Sequence, residues 1–160
     1  MEYLNKSDRE IIISRLIHAP RELVFEVWTD RKHLEKWWGP NGFSTTTKAF
    51  DFKPGGNWIH TMHGPDGTDF PNEINYELIV PPERLEYSQG GGDDEGVTDA
   101  PFHVTVTFDD EDGKTRLTMR SLFKTAHQRK LVVEKYHAIE GGEQHLGRLD
   151  EYVKTFSPRN

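Results

Sequence analysis

The sequence predicts an α+β domain in which a long C-terminal helix is laid across a curved antiparallel sheet. Three observations carry this reading. The chain opens with a β-branched run followed by two short helical patterns. The helical period then vanishes between residues 43 and 123, and it returns as an apolar stripe near the C-terminus.

Residues 11–17 are apolar and β-branched on both parities, which fits a strand. Pro20 then opens a helix, with Glu22 in its first turn and Leu23, Val24, Val27 and Trp28 at helical spacing. Asp30 caps a second short helix carrying His33, Leu34, Trp37 and Trp38, which Gly39 and Pro40 end. An antiparallel meander follows in six pieces: 43–52, 57–63, 70–80, 85–89, 102–108 and 115–123. Asp112-Gly113 is a hairpin signal between the last two. In the fifth piece Phe102, Val104, Val106 and Phe108 share one face, and His103, Thr105 and Thr107 share the other. Residues 90–96 (GGGDDEG) read as a flexible acidic loop.

Thr125 and Gln128 form a capping-box pattern for a helix running to about residue 137. Ile139, Leu146, Leu149, Val153 and Phe156 then recur in steps of three or four, except for one step of seven. The missing position is Gly142. Either the last helix begins after Ile139, or that face leaves space.

The 160 residues carry a net charge of −7 and no cysteine. The length fits one domain, which buries roughly two-thirds of its unfolded surface without disulfides or a structural metal. Nine Phe, five Tyr and four Trp supply the core and exclude a disordered chain. Without cysteine there are no thiol nucleophiles, Cys-based zinc sites or Cys-ligated clusters. The acidic balance disfavours nucleic acid, and the basic cluster at 127–130 is too short to reverse it. No segment is apolar enough for a secretory leader or a membrane span, so a cytoplasmic location is expected.

The runs Ala19-Pro20-Arg21-Glu22-Leu23-Val24-Phe25, Trp28-Thr29-Asp30, His33-Leu34 and Trp37-Trp38-Gly39-Pro40 resemble the opening of the activator-of-Hsp90-ATPase-homologue-1-like proteins. These belong to the START-like, Bet v 1-like (SRPBCC) superfamily. Asp51-Phe52-Lys53-Pro54-Gly55-Gly56, Gly64-Pro65-Asp66-Gly67 and Pro81-Pro82-Glu83-Arg84-Leu85 extend the resemblance over about residues 9–156. It implies a single helix-grip domain over 1–160, with an apolar cavity between the sheet and the C-terminal helix. The expected occupant is a small apolar molecule, lipid-like, polyketide-like or aromatic. The resemblance also brings an Hsp90-type chaperone as a partner. In the co-chaperone that names the family, such a domain is joined to a separate N-terminal one, and the residues before Glu10 are too few for that. Family members usually carry Gly-Trp where this chain has Gly141-Gly142.

If the apolar parity of each strand faces the last helix, Trp58, His60 and Met62 point inward. They are joined by Ile74, Tyr76 and Leu78, by Phe102, Val104 and Val106, and by Leu117, Met119 and Ser121. Ordinary core packing accounts for any one of these. Collectively they form an apolar set with few polar members, the composition of a ligand pocket. The candidate cavity is lined by Trp58, His60, Met62, Ile74, Tyr76, Phe102, Val104, Met119, Ser121, Gly142 and His145, the last placed one turn from Gly142 at the cavity mouth. His60 and His63 fall on opposite strand faces and cannot chelate one ion, so no metal or cofactor is expected. There is no nucleophile elbow, P-loop or dinucleotide fingerprint. The enzymatic alternative is a cyclase- or hydrolase-like reaction with His60 and Tyr76 polarising a carbonyl. Trp37 and Trp38 read as a packing anchor.

Overall fold

The computed structural model describes residues 2–4, 8–91 and 101–156. Most of the acidic loop expected at 90–96 lies outside them, and its first two glycines belong to a strand. The chain runs β1 (Glu2–Leu4), β2 (Glu10–Ile17), α1 (Arg21–Thr29), α2 (Arg31–Trp37), β3 (Ser44–Phe50), β4 (Asn57–His63) and β5 (Asp69–Val80). It continues with β6 (Arg84–Gly91), β7 (Phe102–Glu111), β8 (Lys114–Leu122), α3 (Ala126–Tyr136) and α4 (Ala138–Lys154). The strands form one antiparallel sheet in the order β1-β2-β8-β7-β6-β5-β4-β3, gripped around α4. β1 is an addition to the expected elements, because three residues are too few to show a period.

Local chemistry explains the element boundaries. Asp30 caps α2 by accepting from the Lys32 N–H at 3.0 Å. The Thr125 hydroxyl accepts from the Gln128 N–H, while the Gln128 side chain reaches back to the Lys124 N–H. His137 adopts a left-handed conformation, φ 54°, which ends α3 and redirects the chain into α4. α4 starts at Ala138, so the step of seven leaves a gap on the helix face and does not reflect a late start.

The core lies between α4 and the concave face of the sheet. Leu146, Leu149 and Val153 of α4 are fully buried there, contributing on the order of 5–9 kcal/mol together before entropic costs. One inward assignment fails: Leu78 is 40% exposed. A register shift between Tyr76 and Leu78 reverses the parity, and Ile79 packs on the core instead.

Candidate functional site

Under the N-terminal half of α4, helix and sheet part around a pocket of about 290 Å³. That is near the lower end of the range for small-molecule sites, ~300–1,000 Å³. Strand pairing builds its floor. Ile11 lies opposite Ser121, Ser121 opposite Val104, and Val104 opposite Tyr87, so four strands place one row of side chains on the same face. Ile13 and Met119 pair in the next row. Phe102 and Gln89 pair beside them, and Met62, Phe70 and Asn72 complete the wall. Val132 of α3 and Ala138, Gly141, Gly142 and His145 of α4 form the roof, while Trp38, Gly39, Pro40 and Phe43 close one end.

Seven residues of the expected set lie on this pocket: Met62, Phe102, Val104, Met119, Ser121, Gly142 and His145. Trp58, His60, Ile74 and Tyr76 do not line it; all four are packed in the solid part of the core. They face inward as their parity requires, but farther along the same rows. Ile74 follows Gln89 and Trp58 follows Ile74, toward the β3 edge of the sheet. There the rings of Trp38 and Trp58 meet at 4.9 Å, and Phe50 and Phe52 crowd Tyr76. Periodicity assigns a face. It does not say which half of the face is filled.

This placement removes His60 and Tyr76 as an acid/base pair on the pocket. His60 stacks on Trp58, ring centroids 3.8 Å apart, and neither ring nitrogen has a hydrogen-bond partner. Burial lowers its pKa to about 4, against a small opposing pull from the Trp58 backbone, so the ring is neutral near pH 7. The Tyr76 hydroxyl is pushed upward by burial. His63 sits on the outer face, its Nδ1 2.7 Å from Asp69. Among the described residues no three His, Asp or Glu side chains gather as a metal site.

The space at Gly142 is only partly empty. A Cβ added there would collide with Cδ1 of Ile13, so β2 sends a side chain into the notch left by the missing group. At Gly141 an added Cβ would meet only Pro40, at an ordinary 3.5 Å. The pocket lies beside the Ile13 contact.

His145 sits deeper than the mouth position expected for it. It is packed against Trp37 and Trp38 at 4.9 and 4.4 Å and only 8% exposed. Its Nδ1 accepts the Gly39 N–H at 3.0 Å. Burial, with the Arg148 charge next in weight, lowers its pKa to about 3. One turn on, Arg148 Nη1 donates to the carbonyls of Trp38, Gly39 and Pro40 at 3.2, 3.0 and 2.9 Å. Gln144 accepts the Asn41 N–H. α4 thereby pins the loop that closes the pocket, and Trp37 and Trp38 are the packing anchor their spacing suggested.

On the sheet, sequence reasoning missed Ile11, Ile13, Phe70, Asn72, Tyr87 and Gln89. Tyr87 and Gln89 share parity with Leu85, which was an available signal. Ile11 and Ile13 become visible only once β2 is known to lie beside β8.

A family model described as activator of Hsp90 ATPase homolog 1-like protein matches residues 18–154. No curated protein matches the chain. Among solved structures, an Arthrobacter aurescens protein is 26% identical with a TM-score of 0.87, over 96% of this chain and 91% of its own. A Mycobacterium smegmatis protein is 22% identical with a TM-score of 0.84, covering 100% and 98%. A Rhodobacter sphaeroides protein is 23% identical with a TM-score of 0.83, covering 98% and 99%. The last two show likeness of fold alone. No helix among the described residues is long and apolar enough to cross a membrane.

Proposed function

The chain belongs to the activator-of-Hsp90-ATPase-homologue-1-like family, and from that premise we propose that it binds a small hydrophobic or aromatic molecule beneath α4. Membership supports a ligand-binding or chaperone-associated module in general. What favours the ligand is the pocket: a hollow with mostly apolar walls and a few polar side chains among them. Affinity comes from removing apolar surface from water, and the polar side chains orient the guest. The volume suits a compact molecule of a few rings better than a long acyl chain.

The uncharged fluorophore N-phenyl-1-naphthylamine tests this. The intact protein should give saturable, single-site fluorescence enhancement, and Met119→Trp should weaken it at least about tenfold by taking up part of the hollow while far-UV circular dichroism stays unchanged. Absence of saturation, or equal binding by a folded Met119→Trp protein, would overturn the reading. The chaperone reading predicts instead that the protein raises the ATPase rate of an Hsp90-type chaperone and that Met119→Trp leaves this effect intact.

A further inference from the structure

We infer that the pocket selects uncharged ring compounds whose carbonyl oxygen is set against the His145 ring, and that it rejects carboxylates of the same shape. This rests on the preceding reading that the pocket holds a ligand, and it names the ligand's chemistry. The polar side chains lining the pocket are Asn72, Tyr87, Gln89, Ser121 and His145, and no Lys, Arg, Asp or Glu is among the lining residues.

The donor is fixed by backbone geometry. The Gly39 N–H points at His145 Nδ1, and only an unprotonated nitrogen can accept it. The proton of the neutral ring therefore sits on Nε2. Turning the ring over would set Cδ2 against the Gly39 N–H and break that bond. His145 makes no other hydrogen bond among the described residues, so Nε2–H is left as a donor for an acceptor atom.

No cation answers a buried anion here. Arg148 is not a lining residue, and its Nη1 is committed to three loop carbonyls. A carboxylate entering the pocket would lose its water and gain hydrogen bonds without a counter-charge, a poor exchange for an ion. A ketone gives up far less hydration and needs only the one donor.

Three probes of one shape separate the terms: 2-acetylnaphthalene, 2-ethylnaphthalene and 2-naphthoate, titrated into the full-length protein at pH 7. The ketone should bind roughly three- to tenfold more tightly than the ethyl compound, the usual effect of one buried hydrogen bond. The carboxylate should bind at least about a hundredfold more weakly than the ketone. In protein with ¹⁵N-labelled histidine, the ketone should shift the His145 Nε2 resonance and the ethyl compound should not. His145→Phe should erase the ketone's advantage; if that variant does not fold, the resonance shift still decides. Equal binding of ketone and ethyl compound, or naphthoate binding within tenfold of the ketone, overturns the inference and leaves the pocket reading standing. If none of the three perturbs the backbone amides of Ile13, Val104 and Ala138, both readings fall.

Discussion

Alanine at Gly141 and alanine at Gly142 should have opposite effects on stability, although the residues are neighbours in one helix. Each replacement gains helix propensity of about 0.8–1 kcal/mol. At Gly141 the new methyl meets Pro40 at ordinary contact distance, so that gain should appear as increased stability. At Gly142 it collides with Ile13 Cδ1, and overpacking costs roughly 1–3 kcal/mol. Because the obstacle is the end of a side chain that can rotate, the lower half of that range applies. The expected net is a loss of up to about 1 kcal/mol, and the two variants should differ by about 1–2 kcal/mol. Urea unfolding at constant m reads this directly, and for a chain of this length 1 kcal/mol moves Tm by about 2–4 °C. Ile13→Val removes the colliding atom and costs about 0.5–1.5 kcal/mol alone, but it should rescue Gly142→Ala by about 1 kcal/mol in the double variant. Equal stabilisation by both alanines, or strict additivity of Ile13→Val with Gly142→Ala, would refute the claim that Ile13 occupies the notch.

Three further outcomes are expected. His60 and His145 have folded pKa values of about 4 and 3, below the ordinary 6.5, so the unfolded chain binds more protons and stability is lost as pH falls below about 6.5. At pH 5 the loss is on the order of 2 kcal/mol for each, and His60→Phe should remove about half of it in urea titrations at pH 5 and 7. Arg148→Met leaves the Gly39 carbonyl without a donor, while those of Trp38 and Pro40 keep the Thr45 hydroxyl and the Phe43 N–H, and it should cost about 1–3 kcal/mol, with faster amide hydrogen exchange at 38–43 than elsewhere. Asp150 is buried and accepts from the His18 N–H at 2.9 Å while facing Arg15 and the His18 ring; Asp150→Asn should cost about 2–4 kcal/mol by thermal denaturation, discounted because Arg15 is partly exposed.

Much of this architecture is legible in the sequence because its signals are local. Asp30 and Thr125 cap the helices that follow them, Asp112-Gly113 turns a hairpin, and the parity of 102–108 sends Phe102, Val104, Val106 and Phe108 toward the core. Parity fails where the pairing register slips, as at Leu78, and says nothing about position along a row of paired strands. Trp58, His60, Ile74 and Tyr76 were therefore assigned the correct face but the wrong half of it. Gly142 shows the same limit. The absent side chain is visible in the periodicity, whereas the side chain that reaches into its place belongs to a strand more than a hundred residues away.

The left-handed residue between the last two helices governs more than their boundary. Continued straight through His137, residues 126–154 would form one rod of roughly 43 Å at 1.5 Å per residue, and Val132 would be carried away from the sheet. The hollow would then lose the cover that Val132 gives it. That part of its roof depends on the backbone conformation of one residue, whose own side chain stands in solvent.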